Sequence, residues 1–161
     1  MKVCIIYHSE TGNTRRVAQH LASDPDTKLV EVCEAKAHSR LTRFLVWCKM
    51  ARSEELTEIE PGVIDVSGYD LIVFGSPVWA FKPTPAIHSA IKRLAAGCEG
   101  KRAATFATHG GRAGQTGETY KKWIGERGMR FMGFAGIHQN DIENEQKTGE
   151  IISLIESAKK D

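Results

Sequence analysis

Residues 8–14, His-Ser-Glu-Thr-Gly-Asn-Thr, follow a short apolar run and hold three hydroxyls, an amide and a glycine, but no lysine. Hydroxyls and the free N–H groups at a helix N-terminus bind phosphate as neutral donors, and the helix dipole favours its charge. Neither the G-x-x-x-x-G-K-S/T nor the G-x-G-x-x-G nucleotide loop is present. We therefore predict a monophosphate site, against the alternative that Ser9 or Thr11 only caps a helix. The candidate residues are Ser9, Glu10, Thr11, Gly12, Asn13 and Thr14.

Two later segments carry groups suited to a flat ring. Residues 75–83 place two aromatic side chains between two prolines, which stiffen the backbone and favour ring stacking. Residues 108–117 are rich in glycine, which lets backbone N–H groups approach a ligand, and include a histidine that titrates near neutral pH. The alternatives are aromatic rings that cover the core and an ordinary surface histidine. The candidate residues are Ser76, Pro77, Val78, Trp79, Ala80, Phe81, Thr108, His109, Gly110, Gly111 and Gly114.

The elements that must position these loops alternate along the chain. Apolar runs predict strands at 3–7, 29–33, 71–74, 103–107 and 130–136. Apolar residues at helical spacing predict helices at 15–22, 41–51, 86–96, 118–126 and 150–158. Such alternation indicates a parallel sheet with helices on both faces, in one domain over 1–161. The three loops then meet at the carboxyl edge of the strands, where such sheets bind ligands.

Composition narrows the class of protein. The chain has 161 residues and a formal net charge of +2, which tells against a nucleic-acid-binding domain. No apolar run approaches the length of a membrane span, and the N-terminal run is too short for a secretory signal, so we expect a cytoplasmic protein. The cysteines lack the spacing of a metal site, and we expect Cys4 and Cys33 to be buried free thiols.

The first strand and its loop resemble the flavodoxin signature. The matching run is Ile5-Ile6-Tyr7-x-Ser9-x-x-Gly12-x-Thr14-x-x-x-Ala18-x-x-Leu21. The resemblance implies an α/β, flavodoxin-like, doubly wound sheet of five parallel strands in the order 2-1-3-4-5. It also implies FMN as cofactor, with its phosphate in the first loop and its pyrimidine edge at 108–117. Trp79 is the implied stacking residue, with Phe81 the second choice.

The chain departs from flavodoxins at two places. Many flavodoxins sandwich the ring with a second aromatic after the fourth strand, but residues 109–117 contain none, which would leave one flavin face open. Flavodoxins often flip a peptide at a glycine to bond N5 of the reduced ring, and residues 78–80 hold no glycine. These departures imply room for a quinone or nicotinamide and weaker stabilisation of the one-electron-reduced flavin.

We expect an FMN redox protein, an oxidoreductase that carries electrons between protein partners through the exposed flavin edge. The alternative is an NAD(P)H-dependent reductase of a quinone or similar acceptor, and a non-redox FMN-binding role is a third possibility. The loop segments 8–16, 77–83 and 109–117 together carry a charge of +3, which favours acidic protein partners or anionic small molecules. A basic helix over 40–52 is a candidate contact surface, and we expect a monomer or weak dimer.

Overall fold

The computed structural model describes residues 1–35, 49–50 and 53–160. The strands are β1 (Val3–Tyr7), β2 (Thr27–Glu31), β3 (Cys33–Glu34), β4 (Ile59–Glu60), β5 (Leu71–Trp79), β6 (Lys82–Pro83), β7 (Arg102–His109) and β8 (Arg130–His138). The helices are α1 (Asn13–Leu21), α2 (Pro85–Lys92), α3 (Thr116–Glu126) and α4 (Glu145–Lys160), with a 3-10 turn at Gln139–Asp141.

The main sheet has the order β2-β1-β5-β7-β8, and these five strands pair in parallel. This is the predicted order 2-1-3-4-5, so the flavodoxin-like fold class is confirmed. The carboxyl ends of β1, β5 and β7 are neighbours in this order. The three candidate loops therefore start side by side, at the edge where open α/β sheets bind ligands.

Two apolar layers cover the sheet. On one face, Ile72 and Phe74 of β5 pack with buried residues of α2 and α3. On the other face, Leu71 and Val73 pack with buried residues of α1 and α4. Successive side chains of a strand point to opposite faces, so the continuous apolar run of β5 reflects burial on both sides. In the described residues, no helix has both the length and the apolar character needed to cross a bilayer.

Several element bounds differ from the sequence prediction. The second strand lies at Thr27–Glu31 rather than 29–33, and Cys33 belongs to a short antiparallel ribbon with β4. Cys33 is therefore exposed and its predicted burial is wrong, whereas Cys4 is buried as expected. Most of the predicted helix at 41–51 and of the basic segment 40–52 lies outside the described residues.

The largest difference lies in the third strand, which the sequence predicts to end at residue 74. β5 instead runs to Trp79, so the predicted loop at 75–83 is wrong over its first half. Its extension keeps the parallel ladder to β7 as far as Pro77, which faces Thr108. Proline lacks only the N–H donor, so this last rung of the ladder accommodates it.

Candidate functional site

The first loop ends in a half-buried helix N-terminus at the sheet edge. α1 begins after Gly12, whose φ of 93° lies in the left-handed region that glycine adopts without strain. The first turn of α1 carries no acidic side chain. Ser9 Oγ accepts a hydrogen bond from the Arg15 N–H at 3.2 Å, so Ser9 does cap the helix, while its hydroxyl proton stays able to donate. The arrangement suits an anion held by neutral donors.

A buried hydroxyl pair links the first loop to the end of β7. Thr14 Oγ1 lies 2.8 Å from Thr108 Oγ1, and both side chains are buried. Each hydroxyl offers one donor and two acceptor positions, so this bond leaves hydrogen-bonding capacity on both. Two residues from separate predicted loops are therefore in direct contact.

Residues 78–83 form a β-hairpin rather than the predicted stiff loop. Val78 pairs with Pro83 and Trp79 with Lys82, which leaves the two-residue turn Ala80–Phe81. Ala80 and Phe81 have φ values of 48° and 66°. Positive φ at both central residues is typical of a type I′ turn, whose twist matches that of the paired strands.

The turn is attached to the fourth-strand loop by its backbone. The Phe81 carbonyl accepts a hydrogen bond from the Gln115 N–H at 3.0 Å. Thr116 Oγ1 lies 3.3 Å from the same oxygen, but its single proton is directed to the Ala113 carbonyl at 2.5 Å. A Cβ on Gly114 would lie 2.4 Å from the Phe81 Cβ, and Gly114 itself has a φ of 59°. Only glycine allows this approach, so the turn and the fourth-strand loop form one unit.

Trp79 lies against the first loop through a residue that the sequence analysis missed. The His8 ring meets Trp79 edge-on at 5.5 Å between centroids, and its Nδ1 forms a 3.1 Å hydrogen bond with Thr84 Oγ1. His8 is buried directly after β1, and its position beside the candidate hydroxyls was the signal that could have identified it. Phe81, in contrast, is 60% exposed.

Two histidines face each other at the ends of neighbouring strands. His109 and His138 are ladder partners, and their rings lie 5.5 Å apart at a steep angle. His138 Nδ1 accepts from the Asn140 N–H, so its Nε2 carries the proton and donates to the Gly110 carbonyl. Burial first, and then the electrostatic interaction with His138, lower the pKa of His109, which favours its neutral form.

Some candidate residues face away from an open site. Ser76 is fully buried in β5, where its Oγ accepts a hydrogen bond of 2.9 Å from the Tyr120 hydroxyl. Burial raises the pKa of Tyr120, which keeps this hydroxyl protonated. Ser76 thus fixes β5 against α3. In the first loop, the candidate residues Glu10 and Thr11 are exposed at the surface.

Most of the positive charge that the sequence places at this edge is paired. Arg15 binds Glu31 with an N–O distance of 2.6 Å, and Arg16 pairs with Glu143. Lys82 Nζ lies 2.8 Å from Glu54 Oε1. In the described part of the chain, the Arg112 side chain forms no hydrogen bond or ion pair, so the expected excess of +3 is reduced largely to Arg112.

Comparison with known proteins now identifies the family. The model of the family described as NADPH-dependent FMN reductase matches residues 1–132. The chain belongs to this family. No curated protein matches it in a sequence search.

Solved structures share the fold at low sequence identity. A flavoprotein from Lactobacillus acidophilus NCFM in complex with FMN has a TM-score of 0.68 at 22% identity, covering 88% of this chain and 96% of that one. A flavoprotein from Bacteroides uniformis has a TM-score of 0.71 at 20% identity, covering 91% and 97%. The two-electron-reduced flavodoxin of Megasphaera elsdenii has a TM-score of 0.59 at 18% identity, covering 99% and 99%.

FMN is the cofactor of this family member, and the described geometry fits it. The N-terminus of α1 and its hydroxyls offer neutral donors to a phosphate. Trp79 is half-buried beside that loop, where a ring joined to the phosphate by a short chain can stack. The described residues contain no group of three or more His, Cys, Asp or Glu side chains placed to bind a metal.

Proposed function

We propose that this family member is an FMN-dependent reductase that oxidises NADPH and reduces a quinone-like or other small acceptor. The observation that carries the proposal is the fixed turn at Ala80–Phe81. A flavodoxin-type carrier benefits from a peptide at this place that flips on reduction. Here the turn is held by the pairing of the hairpin strands and by the hydrogen bond from the Gln115 N–H to the Phe81 carbonyl.

Rotating a peptide of this turn would disturb several contacts at once. A flip would disrupt the type I′ geometry and its fit to the strand twist. It would also shift the Phe81 side chain, which lies close against Gly114. A fixed turn offers no extra hydrogen bond to the half-reduced flavin, which supports two-electron rather than one-electron chemistry. The family match to NADPH-dependent reductases agrees with this proposal.

In this proposal, bound FMN would supply two-electron redox chemistry between NADPH and the acceptor. The protein binds and orients it. Ser9, Thr11 and the first-turn N–H groups hold the phosphate, and Trp79 covers one ring face. Neutral His109 lies at the fourth-strand loop, where it offers a hydrogen bond without adding a positive charge. The absence of an aromatic residue in 109–117 leaves the other face open to the nicotinamide.

The test is steady-state oxidation of NADPH by the FMN-loaded protein with a soluble benzoquinone as acceptor. We expect turnover well above that of the same concentration of free FMN. A parallel anaerobic titration with a one-electron donor should pass directly to the fully reduced protein. Turnover no faster than free FMN, together with a one-electron stage that accumulates, would contradict the reductase and favour the carrier.

Thr14 provides a site variant with a matched control. Thr14→Val removes the hydroxyl that bonds Thr108 and should weaken FMN binding by about 10-fold, the effect of about 1.4 kcal/mol from one polar contact. Thr148→Val removes a buried hydroxyl of α4 that bonds the Asn144 carbonyl. The control should leave FMN affinity unchanged in a fluorescence-quenching titration. Equal FMN affinity in both variants would remove Thr14 from the phosphate site.

A further inference from the structure

A cavity adjoins the hairpin turn. It has a volume of about 750 Å³, within the usual range for small-molecule sites. It is lined by Ala80, Phe81, Lys82, Arg112, Gly114 and Gln115. These residues come only from the hairpin and the fourth-strand loop, and neither Trp79 nor the phosphate loop contributes. The cavity therefore adjoins the candidate FMN site, with which it shares Ala80, Phe81 and Gly114.

The two cationic side chains that line the cavity differ in whether a carboxylate already pairs with their charge. Lys82 is 18% exposed and its ammonium group is bound to Glu54, so its charge is already compensated. Arg112 is exposed, and its guanidinium has no partner among the described residues. A guanidinium binds phosphate through two parallel hydrogen bonds, which suits it to a phosphate monoester.

Phe81 adds an exposed aromatic face to the same cavity. A large apolar side chain with 60% exposure at a positive φ has no evident role in the core. Residues in strained backbone regions are concentrated at ligand sites, and they persist only where the surrounding structure holds them in place. Here the hydrogen bond from the Gln115 N–H to the Phe81 carbonyl maintains it. An exposed ring fixed in this way can stack on a planar base.

We infer that this cavity binds the adenosine end of NADPH, with Arg112 on the ribose 2′-phosphate and Phe81 against the adenine. This inference rests on the proposed reductase function. NADH differs from NADPH only in lacking that phosphate, so Arg112 becomes the residue that selects between the two donors. The nicotinamide end then extends from the cavity toward the open flavin face beyond the hairpin.

The kinetic test compares NADPH and NADH with the FMN-loaded protein. Arg112→Gln should lower kcat/KM for NADPH by about 10- to 100-fold, the range expected for losing charged hydrogen bonds, and leave NADH within about 2-fold. Arg130→Gln is the control, because it removes an equal charge from an exposed residue at the opposite end of the sheet. Arg130→Gln should leave kcat/KM unchanged for both NADPH and NADH. Phe81→Leu should raise KM for both nucleotides.

A binding arm separates this inference from the proposed function. By calorimetry, 2′,5′-ADP should bind the holoprotein at least about 10-fold tighter than 5′-AMP, and Arg112→Gln should abolish that preference. Equal losses for NADPH and NADH in Arg112→Gln, or equal binding of the two adenosine phosphates, would overturn the inference. Absence of turnover with either nucleotide would contradict the reductase, and the calorimetry would then decide on the cavity by itself.

Discussion

Glu54 is the residue whose removal should most directly loosen the hairpin that carries Trp79. Its carboxylate accepts hydrogen bonds from Lys82 and Lys122 at 2.8 Å each, and from the Trp123 indole N–H at 3.1 Å. Lys82 is the ladder partner of Trp79, so the Glu54–Lys82 pair holds the outer strand of the hairpin. Glu54→Gln keeps the shape and removes the charge.

The pKa of Glu54 indicates how much Glu54→Gln should lower the free energy of unfolding. Hydrogen bonds from Lys122 and then Lys82 lower this pKa from 4.5 to about 2. That difference corresponds to an upper limit of about 3.5 kcal/mol at about 1.4 kcal/mol per unit. The Lys122 side chain is 57% exposed, so solvent screens its share. We expect Glu54→Gln to lower the free energy of unfolding by about 1.5–2.5 kcal/mol at pH 7.

The pH dependence has a definite sign. A carboxyl group whose pKa is lowered by folding stabilises the protein fully above its ordinary pKa of 4.5, and this contribution is lost as the pH falls toward 2. The difference between wild type and Glu54→Gln in urea unfolding should therefore shrink between these pH values. It should be accompanied by weaker FMN binding, because the strand paired with Trp79 is less restrained.

The matched control is Glu126→Gln, which breaks a more exposed pair with Lys92 and should cost no more than about 0.5 kcal/mol. A Glu54→Gln variant as stable as this control at pH 7 would refute the reasoning. So would a stability difference that persists unchanged down to pH 2, since the carboxylate would then not be its source.

Two further predictions concern buried positions near the site. The His88 ring stacks on Trp123 at 3.8 Å, and burial lowers its pKa from 6.5 to about 4. Because the unfolded chain takes up this proton first, stability should fall as the pH drops from 6.5 to 4, and His88→Gln should flatten that slope in urea unfolding. Gly75→Ala would place a Cβ 2.2 Å from the Phe106 ring and should cost about 3 kcal/mol by urea unfolding. Gly149→Ala in α4 meets open space and should be neutral or stabilising, so equal effects of the two glycine substitutions would contradict the packing argument.

The sequence predicted the sheet because its strands are buried on both faces. Runs such as Leu71–Phe74 are apolar throughout, and only a sheet covered on both sides requires that pattern. The phosphate site of the first loop was predicted from its hydroxyls, which follow directly on β1, and stays a prediction. Both predictions depend only on residues that are neighbours in the sequence. The strand order, in contrast, was implied by the family resemblance.

The hairpin was not predictable from the same kind of signal. Two-residue turns of this type favour Asn-Gly or Asp-Gly, and Ala80–Phe81 has neither. Pro77 and Pro83 suggested an irregular loop, because proline usually interrupts strands. Tertiary contacts overrode both tendencies. The Gln115 N–H and the space above Gly114 stabilise a turn that its own residues disfavour.

The charge of the site was the property that the sequence predicted least well, because charges were summed over loop segments without their ion-pair partners. A sum over loop segments treats each cation as free, yet the partners of three of them lie on other elements. Arg15 pairs with β2, Arg16 with the segment before α4, and Lys82 with the described residues that precede β4. A lysine or arginine contributes to ligand binding only to the extent that no carboxylate already neutralises it. The anion preference that the sequence assigned to a whole sheet edge is therefore concentrated at Arg112, the position where a charge substitution should alter ligand choice without disturbing the fold.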